Sequence, residues 1–224
     1  MQAFLTASCP VALPIITALE ALFVILALRG WFRKKEPLYL LTALVAFGLF
    51  YDALILSLGA LLQNSPAFPV LSKLRFVAHG ALIPLLFPIC AYALDFSRIW
   101  KTVVWIFTGL VIAAGIAEGL STVLMFSDQA GIARLMSNKE LTPSWASTVS
   151  LALSVGAVIP VILAGIVVWI RQKTPLLFLS GFLMFAFSAL GPATGNFDLI
   201  FFISMFGEVC MALCFLLYAR RRAA

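Results

Sequence analysis

Long apolar stretches recur along the chain, and each is closed by a short polar or basic interruption. Seven of them, near residues 10–30, 37–62, 70–94, 102–126, 148–170, 174–193 and 197–219, are long enough as helices to span the ~30 Å of a bilayer's hydrocarbon core. The interruptions carry turn and charge signals, such as Arg33-Lys34-Lys35-Glu36-Pro37 and Arg171-Gln172-Lys173-Thr174-Pro175. The sixth stretch is the shortest and runs into Gly191-Pro192-Ala193-Thr194-Gly195-Asn196. No linker, low-complexity segment or internal repeat divides the sequence. The pattern predicts one all-α domain over 1–224, a polytopic integral membrane bundle of seven transmembrane helices. The longest connection, 127–147, places Ile132, Leu135 and Met136 at helical spacing, which predicts a short surface helix there.

Composition sharpens this picture. Of 224 residues, 63% are hydrophobic and 11% charged, against about 45–50% and about 25% in soluble domains. The net charge of +6 does not point to nucleic acid, because the basic residues sit at helix ends, where they set membrane orientation. Arg29, Arg33, Lys34 and Lys35, then Arg98 and Lys101, then Arg171 and Lys173, then Arg220, Arg221 and Arg222 all fall on one side of a seven-helix bundle. The other side keeps Arg134 and Lys139 in its loops, with Lys73 near a helix end. The N-terminus is therefore expected outside and the C-terminus in the cytoplasm, in a cell membrane (plasma or bacterial inner membrane). No basic segment precedes the first stretch, as expected of a retained first span rather than a cleaved signal. The bilayer is the expected partner, and self-association is compatible with the pattern.

The four cysteines form no CxxC pair and there is a single histidine, so no metal centre or cofactor is indicated. GxSxG, HExxH and P-loop motifs are absent. The candidate chemistry lies inside the apolar stretches. Glu20, Asp52, His79, Glu118 and Glu208 sit on five different predicted helices, with Arg75 one turn from His79 on the same face. At about 1.5 Å per residue these positions lie roughly 12–17 Å below the outer helix ends, in one layer near the midplane. Ionisable groups at that depth are expensive and usually face a bundle interior or a wet cavity. Four carboxyls facing one arginine and one histidine cannot all carry charge in a low dielectric without further partners.

Other residues shape the expected cavity. Pro84 and Pro88 in the third helix and Pro160 in the fifth are expected to kink them. Gly48, Ser57 and Gly59, and Gly109, Gly115 and Gly119, permit close helix packing. Phe178, Phe182, Phe185, Phe187, Phe197, Phe201, Phe202 and Phe206 offer an aromatic lining in the last two helices.

Two short segments resemble the microbial-rhodopsin type of heptahelical membrane protein. Arg75, followed by Pro84-Leu85-Leu86, is similar to that family's third helix, and Glu208-Val209 with the apolar run to Arg220 is similar to its seventh. The resemblance implies a rhodopsin-like bundle in which Arg75 is the third-helix arginine and Glu208 the seventh-helix counterion carboxylate. Where the family carries its Schiff-base lysine this chain has Ala212, and the seventh stretch has no lysine, so covalent retinal is excluded by chemistry. Ala78 and His79 replace a frequent carboxylate and the aromatic after it, and the sixth helix lacks the family's Trp and Tyr-Pro retinal box. The leading expectation is a non-enzymatic binder of a small amphipathic or lipid-like ligand, acting in sensing or carriage. The alternatives are a proton- or cation-coupled transporter, and a membrane-embedded lipid enzyme using His79 with a carboxylate.

Overall fold

The computed structural model describes residues 2–223, and the side chains of these except Gln2, 190–194, Phe197 and Ile200. The fold is mostly helical. In chain order it runs α1 (Gln2–Lys34), α2 (Pro37–Ser57), α3 (Gly59–Leu62), α4 (Ala67–Leu82), a 3₁₀ turn at Ile83–Leu85, α5 (Leu86–Ala93) and α6 (Arg98–Ser121). A hairpin of β1 (Leu124–Gln129) and β2 (Ile132–Ser137) follows, then α7 (Ser144–Gly156), α8 (Val158–Gln172), α9 (Leu176–Thr194) and α10 (Phe197–Arg222). Among the described residues, six stretches are long and apolar enough to cross a membrane: Ala3–Lys34, Pro37–Ser57, Ala67–Ala93, Arg98–Ser121, Ser144–Gln172 and Phe201–Arg222. The chain is thus a multi-pass integral membrane protein. The apolar part of the sixth predicted helix, Leu176–Ala189, is shorter than these. Large apolar side chains such as Ile99, Ile106 and Leu110 on α6 and Leu163 and Ile170 on α8 face outward, as a surface solvated by lipid requires.

Two long rods are broken beside a proline, whereas Pro10 and Pro14 sit within an unbroken α1 and Pro88, expected to kink its helix, falls in the first turn of α5, where its missing N–H costs no helical bond. Pro84 has no N–H to offer the carbonyl of Gly80, and the chain tightens into the 3₁₀ turn. Pro160 is the third residue of α8, and its ring crowds the carbonyl of Gly156, the last residue of α7.

The expected surface helix in 127–147 is instead a β-hairpin, and the fourth helix ends at Ser121 rather than near 126. The reason is the turn. Gln129 pairs with Ile132, leaving Ala130 and Gly131 as a two-residue loop. Both have positive φ (52° and 77°), the signature of a type I′ turn, which locks antiparallel strands. Gly131 sits against Thr6 and Pro10 of α1, and a Cβ at Gly59 would lie 1.9 Å from the Ala133 carbonyl oxygen. The hairpin therefore docks across α1 and α3.

Close backbone contacts hold the bundle. A Cβ at Gly80 would stand 2.2 Å from the Gly115 carbonyl oxygen, and one at Gly119 would stand 2.7 Å from the Val77 nitrogen. These glycines press α4 onto α6. Gly109, expected to serve the same purpose, has nothing near its missing Cβ.

Candidate functional site

Two apolar clusters fill the interior. The smaller, at the hairpin end, includes Leu13, Ile16, Ala53, Ile132, Phe201 and Met205. The larger runs to the opposite end through Phe23, Leu49, Leu86, Met211 and Phe215. The polar layer falls between them. Glu20 lies between Ile16 and Phe23, Asp52 between Leu49 and Ala53, and Glu208 between Met205 and Met211.

At its centre the Arg75 Nε donates to Asp52 Oδ1 at 2.8 Å, tying α4 to α2. Arg75 is 6% exposed and Asp52 22%. A second Arg75 nitrogen reaches the Leu135 carbonyl of β2 at 3.5 Å. His79 interacts electrostatically with both Asp52 and Arg75. Glu208 interacts with Asp52, Glu20, Arg75 and Arg134. Glu20 is fully buried, and neither of its carboxyl oxygens has a hydrogen-bond partner among the described residues. Glu208 Oε2 is also unpartnered.

Arg134 was not expected here. Strand β2 carries it into the layer, where its guanidinium lies 4.6 Å from the Phe201 ring centre and donates to Gln129 Oε1 at 3.1 Å. Burial pushes this guanidinium down to about 10, with Arg75 adding to the effect and Asp52 and Glu208 opposing it. It is still a cation at neutral pH. Its signal in the sequence was the Ala130-Gly131 turn, which converts a loop arginine into a strand residue directed at the bundle.

Five of the six expected residues thus meet: Glu20, Asp52, Arg75, His79 and Glu208. Glu118 stands apart. It accepts from the Thr122 hydroxyl at 3.2 Å and from Ser150, with Lys73 nearby. The Lys73 ammonium donates to the Thr122 carbonyl. Ser150 is the link between this pair and the layer, since it also lines a chamber with Asp52, Arg75, Phe76 and His79.

That chamber has a volume of about 150 Å³. A larger one, about 420 Å³, adjoins at His79. Leu49, Ile83, Leu86, Val155, Val158, Met184, Phe185 and Met211 make its walls apolar, and Ser154, Ser188 and Glu208 are its other polar groups. Ile83 and Leu86 flank the break between α4 and α5, and Val155 and Val158 flank the break between α7 and α8. The larger chamber thus lies where the two rods are broken. His79 is exposed and lines both chambers, so it is accessible to whatever enters.

The expected phenylalanine lining is reduced to Phe185. Phe178 stacks on Phe182 beside Trp169, and Phe202 packs edge-on against Phe4 and Phe206. The side chain of Phe197 lies outside the described residues. No group of three or more His, Cys, Asp or Glu side chains among the described residues has a metal-holding arrangement. No model of a known protein family matches the chain, and comparison with curated proteins returns no match.

Proposed function

We propose that the chain is a seven-span bundle of rhodopsin-like plan, N-terminus outside and C-terminus cytoplasmic, that binds a small amphipathic or lipid-like molecule for sensing or carriage. The observation that carries this reading is the pair of chambers meeting at His79. A polar head of anionic character fits the 150 Å³ chamber beside Arg75. An apolar body fits the 420 Å³ chamber between the two broken helices. Such a division, apolar walls with a few convergent polar groups, is the usual anatomy of a small-molecule site. Ala212 is buried one turn beyond Glu208, so no retinal Schiff base forms there. α9, the short member, completes the seven spans with its Thr194 end.

Native mass spectrometry of gently extracted protein tests this. A stoichiometric bound molecule is expected, lost in Arg75→Ala with the fold intact. Unchanged ligand affinity in that variant would sink the reading.

The unpartnered Glu20 favours a second reading, proton- or cation-coupled transport, since an orphaned buried carboxyl beside two others is a natural stopping place for a proton. A clean apo mass, with vesicle transport lost in Glu208→Gln or Asp52→Asn, would establish it instead.

A further inference from the structure

At the end remote from the hairpin, a groove of about 530 Å³ separates α1 from α10. Arg29, Arg33 and Lys34 of α1 and Arg220 of α10 line it, all four of them exposed. Among the described residues no Asp or Glu lines it. Asp95, at the same end, is held by Arg222 outside the groove. Below the cations the walls turn apolar, with Phe23, Leu26, Leu213 and Leu217. From Arg33 to Phe23 is ten residues of one helix, roughly 15 Å, which is the depth of one leaflet.

We propose that this groove is a binding site for an anionic glycerophospholipid, its phosphate held by Arg29, Arg33, Lys34 and Arg220 and one acyl chain lying along Leu26 and Leu217. Two α-helices end here, and their dipoles place about half a negative charge each at this rim. Four cations outweigh that by a wide margin, so the groove stays attractive to an anion. Basic pockets between membrane helices recognise anionic headgroups by this chemistry. Gly30 shapes the wall: a Cβ there would lie 2.4 Å from the Tyr39 ring, so only glycine lets that ring close the groove's side.

The test is thermal unfolding of the purified full chain in neutral detergent, with dioleoylphosphatidylglycerol or dioleoylphosphatidylcholine added. Phosphatidylglycerol at about 100-fold over its Kd is expected to raise the midpoint by roughly 5–10 °C, and phosphatidylcholine not to. The rise should vanish in the triple variant Arg29→Gln/Arg33→Gln/Arg220→Gln. It should persist in Arg98→Gln/Lys101→Gln, which removes cations from the same end outside the groove. It should also persist in Arg75→Ala, which separates this site from the chambers. Should the triple variant fail to fold, Leu26→Trp, which fills the apolar floor, must abolish the rise in its place. Equal response to both lipids, equal loss in both charge variants, or the same rise with inorganic phosphate alone would overturn the proposal.

Discussion

The two ends of the bundle treat polar groups differently. Away from the hairpin, Tyr218 donates to Gln172 Oε1 at 3.1 Å, Gln172 Nε2 donates to the Ala93 carbonyl at 3.1 Å, and Arg222 pairs with Asp95. In the layer below the hairpin, Glu20 and one oxygen of Glu208 have no partner among the described residues. The contrast follows from position along the helices. Ala93 ends α5, so its carbonyl is free for a side chain. Glu20, Asp52 and Glu208 sit mid-helix, where the backbone is already committed to itself and only other side chains can serve. Polar groups at helix ends are satisfied cheaply; polar groups at mid-helix are left over unless another element delivers a partner. The hairpin delivers Arg134, and the two chambers leave room for something else.

Five substitutions test the contrast. The largest effect is expected in the layer's ion pair. Asp52→Leu strands Arg75, which cannot shed its charge, and should cost about 3 kcal/mol. Arg75→Met should cost less, because a lone carboxyl can take up a proton and Arg134 remains near it. Thermal unfolding in detergent compares the two, and equal losses would mean that Arg75 is not the constrained partner.

A smaller pair of effects should have opposite signs. Glu20→Leu removes an unpartnered carboxyl and is expected to leave stability unchanged or raise it by about 1 kcal/mol. Tyr218→Phe removes a hydroxyl bonded to Gln172 and is expected to lower stability by about 1 kcal/mol. A loss on Glu20→Leu would reveal a proton, water or ion partner for that carboxyl and strengthen the transport reading. The smallest effect belongs to Arg222→Ala. Its partner Asp95 is 60% exposed, and the change should register below about 0.5 kcal/mol in the same assay, fading further with salt.

Much of the layer was readable from spacing. Glu20, Asp52, Arg75, His79 and Glu208 converge because depth along a membrane helix follows from counting residues. The breaks at Pro84 and Pro160 were readable too, since a missing N–H acts on the chain's own backbone, but Pro88 lies within α5 without breaking it. Glu118 was at the predicted depth yet belongs to another group, accepting from Thr122 and Ser150 with Lys73 of α4 nearby. Depth is a property of one helix; the direction a residue faces depends on its neighbours.

The sequence by itself determined that this protein lives in a membrane and roughly where its apolar helices lie, because hydrocarbon leaves an apolar chain few ways to satisfy its backbone. It also marked the expensive residues. Tertiary structure decided which of them meet. The positive-φ turn at Ala130 and Gly131 folded an apparent surface helix into a hairpin and carried Arg134 from a loop into the layer. Packing set Glu118 beside Thr122, Ser150 and Lys73, away from the rest, and brought residues at the two helix breaks together around the larger chamber. The turn is local, but where the hairpin docks, like the helix contacts, is a relation between elements far apart in sequence, where contact depends on packing geometry rather than on local pattern.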